Sequence, residues 1–177
     1  MATYLAFLRA INLGANRKFP KADIQRAVEG VGFKEVETHI NTGNVRFSTA
    51  MRSRARIEEA LERAFLADRC FEVPTIVFTL PEFAEIARVG AELREQRPKV
   101  SRHYVELLKD EPPKAQASAL EATSTATGEV FVRGRAIHVL LTPEYEGNTI
   151  VNAAASAVGV STNRNFNVID AIARKWC

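Results

Sequence analysis

The chain has 177 residues, 46% of them apolar and 25% charged, which suits one ordinary domain or two small halves sharing a core and excludes a disordered chain. A formal charge of +3 and a pI near 9.0 are mildly basic. This is compatible with a small anionic ligand and argues against nucleic acid, which calls for a concentrated basic face. Two cysteines, Cys70 and Cys177, without a CxxC, exclude a disulfide scaffold and a structural zinc site.

Thr3–Leu8 is an apolar run that reads as a central strand. The opening "MATYLAFLRAINLG" lacks a basic segment before it and an A-x-A site after it, so it is read as strand rather than as a secretion signal. No stretch approaches the ~18 apolar residues of a membrane span, and a reducing cytoplasm is the expected compartment. After a loop rich in glycine and asparagine, Pro20 opens a helix in which Ile24, Ala27, Val28 and Val31 share one face, with Gly32 as its stop. Val36, Thr38 and Ile40 alternate with polar residues, and Val45 and Phe47 resume the buried face beyond Gly43, which makes a hairpin. A long helix follows from Ser53, carrying Ile57, Leu61, Ala64 and Phe65, and "PTIVFTL" is a fourth strand. The basic trio Arg52, Arg54 and Arg56 is followed at once by Glu58, Glu59 and Glu62, the pattern of a solvated helix face.

The same order then recurs. Thr79 and Glu82 have the spacing of a capping box at the start of a linking helix. "HYVELLK" is a strand, Pro112 and Pro113 open a short helix, and "GEVFVRGRAIHVLL" is a hairpin turning at Arg133-Gly134. "NTIVNAAASAVGV" is a helix closed by Gly159. Where a fourth strand belongs, "NFNVIDAIARKW" reads as a helix through Ile169, Ile172, Ala173 and Trp176. The expected architecture is α+β: two ferredoxin-like (split βαβ) halves with antiparallel sheets, the second ending in a C-terminal helix. The halves span residues 1–80 and 101–177, joined by a linking helix over 81–100.

The asparagines cluster at 12, 16, 41, 44, 148, 152, 163, 165 and 167, with none from Val45 to Gly147. In a split βαβ half, the first loop and the hairpin tip share one end of the sheet. That topology places Arg9, Asn12, Gly14 and Asn16 beside Thr42, Gly43 and Asn44, with Arg69 and Cys70 near. The parallel argument sets Arg133-Gly134 and "STNRNFN", with Arg164 and Asn165, at one end of the second sheet. Guanidinium groups, amides and glycine-exposed N–H groups suit a phosphate or carboxylate. Each asparagine has a plainer use as a cap or turn residue.

Catalytic motifs are scarce. No GxSxG, HExxH, P-loop or GxGxxG occurs, and no metal-ligating cluster is evident. His39, His103 and His138 read as surface residues on strands, and Cys70 as a half-buried thiol beside Phe71.

Three blocks, "YLAFLRAINLGANRKFP", "GFKEVETHINTGNVRFST" and "TNRNFNVIDAIA", resemble the signatures of an uncharacterised bacterial protein family of unknown function. Its members open with a LLRGINVGG-like stretch, carry TYIxSGNVxF in a hairpin and close with a T-x-RNWNT-like run. Arg9, Asn12, Gly14, Gly43, Asn44, Thr162, Arg164, Asn165 and Asn167 stand at signature positions, while Ala10, Thr42 and Phe166 replace the usual Gly, Ser and Trp. The resemblance implies a two-part α+β fold and no particular reaction. The leading functional expectation is a binding module for a small anionic ligand, a nucleotide or phosphorylated metabolite, through Arg9, Asn12, Gly14, Thr42, Gly43, Asn44, Arg164 and Asn165. The alternatives are a transferase or hydrolase acting on a phosphorylated substrate and a single-stranded RNA-binding module, for which "GEVFVRG" offers only Phe131 as a stacking ring.

Overall fold

The computed structural model describes residues 1–156 and 158–177. Contacts divide the chain into two units, Met1–Phe83 with Trp176, and Ala84–Lys175 with Cys177.

The first unit contains β1 (Ala2–Leu8), α1 (Lys21–Gly30), β2 (Lys34–His39), β3 (Asn44–Thr49), α2 (Arg54–Arg69) and β4 (Thr75–Thr79). They form a four-stranded antiparallel sheet of order β2-β3-β1-β4, the split βαβ arrangement. β1 is an unbroken apolar run because both its faces are buried. Tyr4, Ala6 and Leu8 join Val45, Phe47 and Val77 against Ile24, Val28, Ile57, Leu61 and Phe65 of the two helices. On the other face Phe7 stacks on Phe83 with ring centroids 5.0 Å apart. Ser53 caps α2 through its side chain, which accepts from the Arg56 N–H.

The charge pattern predicts a solvated face on α2, and Arg52, Arg56 and Glu59 are exposed, but Glu58 and Glu62 turn toward β4. Glu58 is only 3% exposed, and its carboxylate accepts from the Val77 N–H at 3.0 Å, while Glu62 accepts from the Thr75 N–H at 2.9 Å. β4 is an edge strand, and these two carboxylates occupy outward amides that would otherwise template a further strand. Glu58→Leu should therefore destabilise the protein by about 2–3 kcal/mol, the cost of a buried unsatisfied donor, whereas Glu58→Gln should recover most of the loss. Urea unfolding of the two variants checks this, and equal stabilities would contradict it.

α3 (Leu80–Glu95) begins in the first unit and continues in the second. Its start is the expected capping box: the Thr79 N–H and hydroxyl donate to Glu82 at 2.8 and 2.7 Å, and the Glu82 N–H donates back to the Thr79 hydroxyl at 3.3 Å.

The second unit continues with β5 (Arg102–Leu108), α4 (Lys114–Glu121), β6 (Gly128–Arg133), β7 (Ala136–Leu141), α5 (Thr149–Ser156), β8 (Ser161–Asn165) and α6 (Phe166–Trp176). Its sheet has the order β6-β7-β5-β8, so the topology repeats that of the first unit. The repeat reaches the backbone. Leu8 N–H donates to Gly43 O and Arg9 N–H to Pro74 O, as Leu108 N–H donates to Arg135 O and Lys109 N–H to Val160 O, all at 2.8–2.9 Å. α1 and α4 also both follow a proline in the N-cap position, Pro20 and Pro113.

β8 corrects the sequence reading, which finds no fourth strand here. "STNRN" has no apolar alternation because its partner on β5 is a buried carboxylate. Glu106 accepts from the Ser161 hydroxyl at 2.6 Å and from the Asn163 side-chain amide at 3.0 Å. The strand also corrects the expected placement of this segment. Ser161 lies opposite Leu108, at the end bearing the Arg133-Gly134 turn, but Arg164 and Asn165 lie opposite Val105 and Tyr104, further along the strand and away from that turn.

Candidate functional site

The loop end of the first unit is assembled by two polar side chains. Residues 9–19 form a loop in which Ala10, Asn12 and Gly14 adopt φ of 55°, 54° and 68°. Ala10 stands where the resembling family usually has glycine, and its left-handed backbone gives that preference a reason. Asn12 closes the loop: its side-chain oxygen accepts from the Phe19 N–H at 2.8 Å, and its amide donates to Phe19 O at 3.2 Å and Asn41 O at 2.5 Å. Arg17 is the second fastening. It donates to Ala10 O and Glu72 O, each at 2.5 Å, and its guanidinium lies over the Phe71 ring at 4.6 Å. Sequence reasoning overlooked Arg17. The available signal was an arginine inside a glycine- and asparagine-rich loop with no acidic residue before Asp23 to pair with.

The hairpin tip meets this loop as the topology requires. Gly43 is buried at φ 74°, and a Cβ there would lie 2.7 Å from Leu8 Cβ and 2.8 Å from Ile11 Cδ1. Close backbone approach, besides the turn itself, accounts for this glycine. Asn44 is fully buried and donates to His39 O at 3.0 Å and to the Thr42 hydroxyl at 2.9 Å. Ile40, a β-branched residue, sits at φ 49°, a conformation that such side chains rarely adopt. Left-handed strain therefore gathers on the loop and the tip together. Arg9, Asn12, Gly14 and Thr42 are exposed, and the Arg9 guanidinium has no partner among the described residues. Arg69 ion-pairs with Asp23 at 3.4 Å and Asp68 at 2.8 Å. Cys70 is exposed rather than half-buried, because it terminates α2 in the left-handed conformation at φ 60°.

Arg164 and Asn165 belong to the second unit. Arg164 is 8% exposed and donates to the Thr162 hydroxyl at 2.9 Å and Asn163 O at 2.7 Å. Burial pulls its pKa down to about 10, against the opposing pull of the Glu106 carboxylate, so it stays cationic at neutral pH. Asn165 caps α6, its side-chain oxygen accepting from the Asn167 N–H at 2.9 Å.

Two histidines expected at the surface are in the interior of the second unit. His103 is 3% and His138 0% exposed, and Nε2 of the first lies 3.1 Å from Nδ1 of the second. They occupy the sheet face opposite Tyr104, Ile137 and Val139, and Phe166 stacks on His103 at 4.4 Å. Phe131 is flanked by the guanidinium groups of Arg97 at 4.4 Å and Arg133 at 5.7 Å, so its ring is already engaged. Among the described residues no cluster of three or more His, Cys, Asp or Glu is placed to hold a metal ion, and no helix is long and apolar enough to cross a membrane.

Among solved structures the chain is similar to the conserved bacterial protein SP0830 from Streptococcus pneumoniae, with a TM-score of 0.75, 20% identity, and coverage of 99% of this chain and 98% of that one. At that identity the likeness establishes the fold alone. A search of curated proteins finds no match. A family model described as "Protein of unknown function (DUF1697)" matches residues 1–138. With the split βαβ topology and the signature loops at hand, the chain belongs to this family of unknown function.

Proposed function

We propose that the protein binds a small anionic ligand, a nucleotide or phosphorylated metabolite, at the loop end of the first unit. Arg9 grips the anion there, and Asn12, Gly14 and Thr42 form the polar rim. The observation that supports this reading is the exposed Arg9 guanidinium, without a partner among the described residues, on a loop fastened by the hydrogen bonds of Asn12 and Arg17. A preorganised loop loses little entropy on binding. Arg9, Arg17, Lys18 and Lys21 all precede the first acidic residue, Asp23, so the loop carries positive charge. In this reading Gly43 and Asn44 shape the rim from beneath, and Arg164 and Asn165 serve the second unit. The exposed free thiols of Cys70 and Cys177 suit a reducing cytoplasm.

Thermal-shift screening with nucleotides and phosphorylated metabolites tests the proposal. A ligand at a hundred times its Kd adds about 2.7 kcal/mol and raises Tm by several degrees. Arg9→Ala should abolish the rise and leave the ligand-free Tm nearly unchanged, since the exposed guanidinium has no hydrogen-bond or ion-pair partner among the described residues. A rise that survives Arg9→Ala, or no rise with any compound, sinks the reading.

A further inference from the structure

At the other end of the first sheet, where Tyr4 of β1 pairs with Thr79 of β4, lies an open cleft of about 290 Å³. It is lined by Tyr4, Arg52, Arg54, Thr79 and Glu82, with Val77 and Phe78 as the strand wall. We propose that this cleft is a second binding site, distinct from the loop end, for a small molecule bearing a phosphate monoester.

The charge balance of the lining carries the argument. Glu82 is committed to the capping box, its carboxylate accepting from both the N–H and the hydroxyl of Thr79. Arg54 is drawn partly away toward Glu58, at 4.0 Å. Arg52 has no hydrogen-bond or ion-pair partner among the described residues and is exposed on the rim. The lining therefore holds an excess positive charge, supplied by a planar fork of donors whose geometry matches phosphate oxygens. The Tyr4 hydroxyl donates to Met51 O at 3.3 Å, which leaves its lone pairs able to accept from a ligand hydroxyl. The volume sits at the lower bound of small-molecule sites and admits a sugar phosphate rather than a dinucleotide.

This explains the basic trio differently from a solvated helix face. Arg52 and Arg54 face the cleft, whereas Arg56 does not line it. The site is independent of the loop-end reading, because none of its residues belongs to the loop or the hairpin tip.

The test is an amide NMR titration of the full chain with ribose 5-phosphate, inorganic phosphate and ribose. Expected are saturable shifts at residues 52–56 and 79–82 with both phosphates and none with ribose. Arg52→Ala should weaken binding about tenfold, the size of one charge-assisted contact. Arg52→Lys, which keeps the charge but loses the fork, should fall between, and Arg56→Ala should match the parent protein. Since Arg52 and Arg56 are exposed and neither guanidinium has a hydrogen-bond or ion-pair partner among the described residues, all three variants should fold. Shifts that fail to saturate, that Arg52→Ala leaves unaltered, or that Arg56→Ala reduces equally would overturn the proposal. Perturbation confined to residues 9–18 would overturn it too while leaving the loop-end reading intact.

Discussion

Replacing Gly90 with alanine is expected to destabilise the protein by about 3 kcal/mol, although alanine is the better helix former by about 1 kcal/mol. Gly90 lies within α3, and a Cβ there would come 2.2 Å from Cε2 and 2.7 Å from Cδ2 of Phe166. The ring has no room to retreat, because it stacks on His103 at 4.4 Å with planes 12° apart. The helix backbone must shift or the stack must break. Urea unfolding measures the loss, and the double variant Gly90→Ala/Phe166→Leu identifies its cause. Trimming the ring should return part of the lost stability, giving a coupling energy of at least about 0.5 kcal/mol between two residues in contact. If Gly90→Ala instead raises stability, helix propensity decides at this position and the packing argument fails.

The second large effect is acid sensitivity centred on the same stack. Burial holds His103 down to about 3 and His138 down to about 4, far below the unfolded value near 6.5. Each charged ring would also face cations: Arg94 and the partner histidine for His103, and Arg133 for His138. The unfolded chain therefore binds more protons through the interval between the folded and unfolded values. Stability from this pair is full above pH 6.5 and is lost as pH falls toward 4 and then 3. With two sites the slope should approach about 2.7 kcal/mol per pH unit in the middle of that window. Carboxylates titrate there as well, so the informative comparison is with His103→Leu/His138→Leu. Removing both members of a buried polar pair should alter neutral-pH stability little, since Nδ1 of His103 and Nε2 of His138 have no hydrogen-bond partner to lose. It should flatten the acid limb. A double variant that keeps the parent slope would show that the pair does not control it.

These two effects share a cause that also governs what could be read in advance. The histidines alternate with hydrophobic residues on β5 and β7, and period-2 reasoning places such residues on the solvent side. That inference holds only for a sheet covered on one face. Here Val105 and Leu107 are buried on the same face as His103, as are Tyr104 and Leu108 on the other, or nearly so. Glu58 misleads in the same way: its neighbours in sequence are charged, but its partner is an edge-strand amide on β4.

Of the candidate site, the meeting of first loop and hairpin tip was legible because topology alone brings them together. The partners that Asn12, Gly43 and Asn44 find within the protein were not. Their hydrogen bonds and close contacts run to Phe19, Asn41, Leu8 and His39, which no spacing rule connects to them. Arg52 and Arg54 could be seen as a basic stretch but not as the wall of a cleft, whose other sides come from β1, β4 and the start of α3.

The local code of this chain was enough to determine its helices, its two hairpins, the capping box at Thr79 and the doubled split βαβ plan. Apolar periodicity, prolines and turn residues act over a few positions and require no partner. Tertiary structure alone decided the rest: a polar fourth strand around Glu106, two buried histidines, carboxylates sealing an edge, and glycines at 43 and 90 enforced by distant side chains. The physical reason is that a polar group becomes compatible with burial, and a glycine with necessity, only when a segment remote in sequence supplies the partner or the obstruction.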